Sequence, residues 1–387
     1  MKKIRVAIID DGIDSNLNYF NANIKYYEVL NHEVLHIAEL NDKTAITSHG
    51  TVCSWIFSNY CQGVHYELIS IKIIDPMVKK TSIDDLIIAL NWCSQNDIQL
   101  ICMSIGTTYY KDFEKITNIV DNLVDKGIIM TAACNNDNLI SFPASAKKVI
   151  GVRCDYSDFL GEEEFTFIDD DIGNINLVSS CNYEKLEKIV KVKIAKFNSF
   201  AVPYIGALIC KSLANGCISL NEVLSSLKMR ETQNTELKKI NYLKGAFPHW
   251  KEEIEAPVVA VISNDTGSKL IKDICIQFHK LGFYAVGMCN EIDDDKFYLI
   301  PSKKIRGTFL YSAREMINFV HNAYQPDLLL VIGSDDDFLN QLAIEKILDV
   351  RMYIDKAEEN LLAYSIPCLN SNYDAKAIAQ SVIDYFQ

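Results

Sequence analysis

VAIIDDGID, at residues 6–14, is an apolar run that ends on two carboxylates and a glycine. Unbroken Val, Ile and Ala without polar alternation reads as a strand buried on both faces, as in a parallel sheet. Its acidic end then falls in the loop that follows the strand. Outward from this stretch, similar runs alternate with helical patterns. ELISIKII (67–74) reads as a strand, followed by a helix from about 82 to 94. LICMSIG (100–106) is the next strand, with a helix at 113–126 after it. GIIMTAAC (127–134) and KKVIGVRC (147–154) complete the set, and NEVLSSLKM (221–229) reads as a closing helix. The rhythm predicts an α/β fold, a doubly wound and mostly parallel sheet over residues 1–229.

Residues 230–256 are polar and end in KEEIEAP, which reads as a linker. A second α/β rhythm fills 257–387. APVVAVISND is a strand, 268–281 a helix and FYAVGMC a strand; a helix near 313–323 precedes DLLLVIGS, and 374–386 is a final helix. A smaller Rossmann-like or flavodoxin-like domain is expected there. Its turn SNDTGSK (263–269) lacks the spaced glycines and Gly-Lys pair of a phosphate loop, so a recognition or assembly role is the expectation. Homo-oligomer formation or a partner would be served through it.

Composition narrows the function classes. The 387 residues are 49% hydrophobic, enough for a large core, and the formal net charge is -13 from 38 basic and 51 acidic residues. Nucleic acid and anionic membranes attract clustered positive charge, so neither is an expected partner. No apolar run reaches the length of a membrane span. Asp10 follows Met1 too closely for an export signal or propeptide to lie between them. The twelve cysteines show no CxxC spacing and read as reduced thiols. A cytoplasmic protein is the expectation.

Two further stretches complete the chemistry. SHGT (48–51) places His49 at the head of an apolar helical stretch, and FNSFAVP (197–203) places Ser199 just before a helix expected to start at Pro203. A serine hydroxyl becomes a nucleophile when a histidine accepts its proton, and the histidine works best when a carboxylate fixes its tautomer. Asp10 at a strand end suits that carboxylate, with Asp11 as its rival. Taken singly, Asp10 could be a turn residue, His49 a satisfied histidine and Ser199 a helix N-cap.

Taken together and in this order, the three motifs resemble the subtilase family of serine peptidases, over roughly residues 1–229. The resemblance implies Asp10, His49 and Ser199 as the catalytic triad. TAACNND (131–137) matches the family's Ala-Gly-Asn segment, which implies Asn135 as the side-chain donor of an oxyanion hole, beside the Ser199 N–H. MSIGT (103–107) matches the Ser-Leu-Gly strand, so Ser104, Ile105 and Gly106 are expected to pair with substrate backbone. Ala132, Ala133 and Cys134 are expected to form the other wall of the specificity pocket, closed by FPAS (142–145). The implied activity is intracellular endopeptidase cleavage of a peptide or precursor-protein substrate, with leader-peptide removal as a plausible role and no cofactor.

Departures from the family pattern keep a second reading open. Phe197 and Asn198 stand where the family motif Gly-Thr-Ser-Met-Ala-x-Pro has glycine and threonine, and Cys134 replaces the glycine before Asn135. A pseudo-peptidase that binds peptides without cleaving them is the alternative. HEVLH (32–36) fits the H-E-x-x-H zinc pattern, but its flanks are strand-like and no third ligand follows, so no metal is expected there. The stretch after the His49 helix is too short for a family calcium loop. The acidic turns EIDDDK (291–296) and SDDDF (334–338) lack EF-hand spacing and read as solvated loops.

Overall fold

The structure is a computed structural model. It describes residues 3–38, 47–75, 81–137, 139–168, 175–233, 251–263, 268–290, 292, 296–302, 312–333, 337–354, 368–371 and 374–387. The chain divides into two compact units, Met1–Asn241 and Tyr242–Gln387.

The strands of the first unit are, in chain order, β1 (Ile4–Asp10), β2 (Ile24–Leu30), β3 (Glu33–Ile37), β4 (Tyr66–Lys72), β5 (Leu100–Met103), β6 (Ile129–Ala133), β7 (Ile150–Cys154), β8 (Phe165–Ile168) and β9 (Ile175–Ser179). They form one sheet in the order β3-β2-β4-β1-β5-β6-β7-β9-β8. Its interior pairs are all parallel, and the two edge strands β3 and β8 pair antiparallel. Strand β1 lies mid-sheet between β4 and β5, which is why its sequence is apolar without alternation. The β2–β3 hairpin was not an expected element. Its two-residue loop is Asn31-His32 with both φ values positive, at 50° and 64°. That suits a type I′ turn, but only the asparagine hints at it in sequence.

Six helices are described in this unit: α1 (His49–Tyr60), α2 (Ile83–Gln95), α3 (Tyr110–Asp125), α4 (Glu184–Val190), α5 (Asn198–Ala214) and α6 (Leu220–Lys228). Helix α3 is amphipathic, burying Phe113, Ile116, Val120 and Leu123 in one stripe. Helices α1 and α5 are apolar nearly all round and pack on each other, with α5 also lying on β5, β6 and β7. They form a helical layer against the sheet, and both N-termini open on the same end of the sheet as the end of β1. Helix α5 starts at Asn198, earlier than the expected start at Pro203. Proline is favoured in a first turn, and that preference misplaces the boundary here.

Residues 234–250 of the expected linker lie outside the described residues. Its two ends belong to the folded units. Glu231 accepts from Thr166 and from the Phe167 N–H, and the Thr232 N–H donates to the Phe165 carbonyl.

The second unit carries β10 (Val258–Ile262), β11 (Ala285–Cys289), β12 (Leu299–Pro301), β13 (Leu328–Gly333), β14 (Val350–Ile354) and β15 (Cys368–Ser371). Its helices are α7 (Ser268–Lys280), α8 (Ala313–Tyr324), α9 (Asp337–Ile344) and α10 (Ala375–Phe386). All its strand pairs are parallel, in the order β12-β11-β13-β10-β14-β15. Numbered within the unit this is 3-2-4-1-5-6, which differs from the Rossmann and flavodoxin orders because β13 lies between β10 and β11. The Lys251 N–H donates to Asn322 Oδ1 at 2.8 Å and the Glu255 N–H to His321 Nε2 at 3.2 Å, tying 251–255 to α8. Residues 264–267, 291, 293–295 and 334–336 lie outside the described residues, and with them most of SNDTGSK, EIDDDK and SDDDF.

Candidate active site

The end of β1 and the start of α1 are locked together by short side chains. Ser48 is the N-cap of α1: its hydroxyl accepts from the Thr51 N–H at 3.2 Å and donates to the Gly12 carbonyl at 2.8 Å. Thr51 Oγ1 accepts the Asp14 N–H at 2.8 Å. Asp11 reaches over the same helix end, accepting the His49 N–H at 3.0 Å and the Gly50 N–H at 2.7 Å. A carboxylate at a helix N-terminus also meets the positive end of the helix dipole. Asp11 is therefore a helix cap rather than a rival to Asp10. Burial and the neighbouring Asp10 carboxylate push the Asp11 carboxyl above its ordinary value, against the two N–H donors.

This clamp needs Gly50. A Cβ there would stand 2.5 Å from the Gly12 carbonyl oxygen, closer than any side chain tolerates. Gly12 itself turns at φ 97°. The result is a close approach that sets His49 against Asp10. Asp10 is 2% exposed, and both its oxygens lie near His49 Nδ1, at 3.0 and 2.9 Å. Asp10 Oδ1 also accepts the Asp11 N–H at 2.8 Å. A carboxylate at Nδ1 holds the proton there and leaves Nε2 as the acceptor. Nε2 lies 2.9 Å from Ser199 Oγ. Burial opposes the imidazolium, but the Cys53 and Asp10 charges and the Asp10 hydrogen bond raise His49 above its ordinary value. The Cys53 thiol is itself pushed up by burial, so it stays protonated at neutral pH and the Asp10 carboxylate is the effective cause.

Ser199 sits in the first turn of α5, one residue inside it, and the N-cap is Phe197, whose side chain caps nothing. The first N–H of the helix, that of Asn198, goes instead to Asn136 Oδ1 on the segment after β6, at 3.1 Å. Pro203, four residues on, has no N–H to give the Ser199 carbonyl. Ser104 Oγ donates to that carbonyl instead, at 3.1 Å. Cys53 Sγ lies 3.6 Å from both Ser104 Oγ and His49 Nδ1. Phe200 stacks on the His49 ring, with centroids 4.5 Å apart and planes at 23°. Neither Cys53 nor Phe200 was singled out by sequence reasoning. The i, i+4 spacing of His49 and Cys53 on one helix face is the signal that could have found the thiol.

The Asn135 segment adjoins Ser199. Asn135 Oδ1 accepts the Asp137 N–H at 2.8 Å, which commits the amide oxygen and leaves the NH₂ group as the side chain's donor. Ser104, Ile105 and Gly106 follow β5, outside regular strand pairing and partly exposed. Thr107 then pairs with Phe142 in an antiparallel bridge, and the Phe142 ring stacks on Phe113. The expected pocket wall differs. Ala132 pairs with Met103 and Gly151 on its two sides and is fully buried, so it offers no surface; Ala133 and Cys134 keep 8% each.

HEVLH lies in the β2–β3 hairpin, with His36 opposite Tyr27, so its histidines do not share a helix face. Among the described residues, the group of His, Cys and carboxylate ligands close enough to hold a metal is Asp10, His49 and Cys53, all within 4.8 Å. It is the same cluster that faces Ser199. No helix among the described residues is long and apolar enough to cross a membrane.

Residues 1–201 match the subtilase family. The chain belongs to that family. It is a serine protease, and the geometry above is how this subtilase arranges the family's motifs. No curated protein matches the chain. Solved structures that resemble it include a cold-adapted subtilisin-like serine proteinase, at 15% identity, covering 62% of this chain and 84% of that one with a TM-score of 0.45. A lanthipeptide protease resembles it at 11% identity, 61% and 78% coverage and a TM-score of 0.42. A mutant of the protease domain of PatA does so at 14% identity, 59% and 97% coverage and a TM-score of 0.40.

Proposed function

We propose that this subtilase cleaves peptide bonds with Ser199 as nucleophile, His49 as general base and acid, and Asp10 as the carboxylate that orients His49. The observation behind this reading is the unbroken contact chain from Ser199 Oγ through Nε2 and Nδ1 to Asp10. Ser199 Oγ attacks the scissile carbonyl carbon while its proton passes to Nε2. The carbonyl oxygen becomes an oxyanion, for which the Asn135 NH₂ group and the Ser199 N–H are the donors. His49 then returns the proton to the leaving amine, and water repeats the sequence on the acyl-enzyme. Ser104, Ile105 and Gly106 offer backbone for an extended substrate.

The substrates are specific peptide precursors rather than proteins at large. Phe197 supports this: it is 47% exposed and stands where the family motif has glycine, directly before the nucleophile's turn. Its ring centroid lies 6.4 Å from that of Phe200, the ring stacked on His49. Leader-peptide removal fits such a site. The eleven described free cysteines support a reducing compartment such as the cytoplasm.

Ser199→Ala tests the mechanism. Peptide hydrolysis is expected to fall by orders of magnitude, on the order of 10⁶ in kcat, with the fold intact. Undiminished turnover would remove the triad. Mass spectrometry of a cleaved peptide library tests the substrate class. A narrow product set is expected, and indiscriminate cleavage would sink the precursor reading.

A further inference from the structure

We propose that Asn198 is a positioning residue that holds the two halves of the oxyanion hole in one frame; this rests on the reading of Ser199 and Asn135 given above. Asn198 is 1% exposed and precedes the nucleophile. Its side chain makes three hydrogen bonds, none of them within its own helix. Oδ1 accepts the Cys154 N–H at 2.8 Å, at the end of β7. Nδ2 donates to the Cys134 carbonyl at 3.1 Å and the Asn135 carbonyl at 3.0 Å, both in the segment after β6. Its backbone N–H donates to Asn136 Oδ1 at 3.1 Å.

Both amide protons and one lone pair of the amide oxygen are thus matched in a buried setting. What it joins matters more than how many bonds it makes. One oxyanion donor is a side chain on the segment after β6. The other is a backbone N–H on α5. No covalent path shorter than 64 residues connects Asn135 to Ser199. The Asn198 amide crosses that gap directly, bonding the backbone of Asn135 from the residue next to Ser199. A hydroxyl at 198 has one proton to donate and could not bond both carbonyls while accepting from Cys154. One of the two carbonyls that Asn198 holds is that of Cys134. A misplacement of an oxyanion donor by about 1 Å is costly to rate, because its worth lies in preorganisation.

A double-mutant cycle read by a fluorophosphonate probe tests this. The probe's phosphoryl oxygen occupies the same hole as Ser199 displaces fluoride, so no natural substrate is needed. Asn198→Asp keeps the size and the acceptor for Cys154 but turns an oxygen on the two carbonyls. The labelling rate constant is expected to drop about 10²-fold in the wild-type background. In the Asn135→Ala background the same change is expected to cost less than about threefold, because the donor it positions is gone. Equal losses in both backgrounds, or no loss in either, would overturn the proposal. If Asn198→Asp does not fold, Asn198→Thr is read through the same cycle, and failure of both to fold would assign Asn198 to the fold alone and overturn the positioning role. Labelling of Ser199→Ala at the wild-type rate is the separate outcome that would overturn the nucleophile itself.

Discussion

The Ser104 hydroxyl donates to the Ser199 carbonyl at 3.1 Å, the oxygen that Pro203 leaves without a helical donor. A hydroxyl on the strand side of the site thus completes the first turn of the helix that carries Ser199. Ser104→Ala would leave that carbonyl to the Cys53 thiol, 4.0 Å away. A loss of about 1–3 kcal/mol in stability is expected, the cost of a buried acceptor left unmatched, with a fall in kcat of about tenfold. Pro203→Ala restores an N–H to the helix, so the double variant is expected to recover stability. No recovery in its thermal midpoint would mean that Ser104 acts elsewhere.

Gly50→Ala tests the clamp between β1 and α1. The added methyl would meet the Gly12 carbonyl oxygen at 2.5 Å, so backbone must shift. Overpacking of this kind costs about 1–3 kcal/mol, and the shift moves His49 away from Asp10. The expected result is a lowered melting temperature together with a larger fractional loss in kcat than in KM. A variant with wild-type kinetics would refute the clamp as the device that sets the relay.

The pH profile follows from His49. Its raised value means that the imidazole stays charged above the ordinary 6.5, and a charged imidazole accepts no proton. Activity is therefore expected to fall as pH drops through that raised value, so the acid limb of kcat/KM lies above pH 6.5. Stability moves the other way. A histidine raised in the folded state contributes fully below its unfolded value and loses that contribution as pH rises through the folded one. Asp10→Asn is expected to lower the acid limb and reduce kcat about 10⁴-fold. An acid limb unchanged in that variant would contradict the assignment.

Glu67 supplies a pH test remote from the site. Its side chain is 4% exposed, with Lys3 at 2.7 Å, Arg5 at 3.1 Å and Lys25 at 3.7 Å. Burial works to raise its carboxyl, but the Lys3 hydrogen bond and the three cations outweigh burial and hold it below 4.5. A lowered carboxyl contributes stability above its unfolded value and loses it as pH falls through the folded value. Glu67→Gln is expected to cost about 1 kcal/mol at neutral pH, since the cations are partly solvated. The difference from wild type should vanish in acid. A constant difference down to pH 3 would show that the loss is packing alone.

The parallel core was legible because its strands are unbroken apolar runs, RVAIID and LICM among them, and the family because its three motifs retain their order. Other parts were hidden for physical reasons. The start of α5 was misplaced because the donor that takes the place of the Pro203 N–H is Ser104, 95 residues from Ser199 in sequence. The hairpin at Asn31-His32 lacks the glycine that usually marks such turns. Asp11 looks like a second candidate base until the helix end beneath it is seen. The strand order of the second unit depends on β13 entering between β10 and β11, a choice that no local pattern encodes.

The ring of Phe200 lies flat on His49, where the family motif has methionine. A thioether at that position could be oxidised to a sulfoxide, swelling and polarising the wall beside the nucleophile. A phenyl ring offers peroxide no such target. The sulfur that does lie against the relay, Cys53, is 1% exposed and held as a thiol by its burial, whereas peroxide attacks thiolates. Beside His49, then, Phe200 offers peroxide no thioether and Cys53 no exposed thiolate.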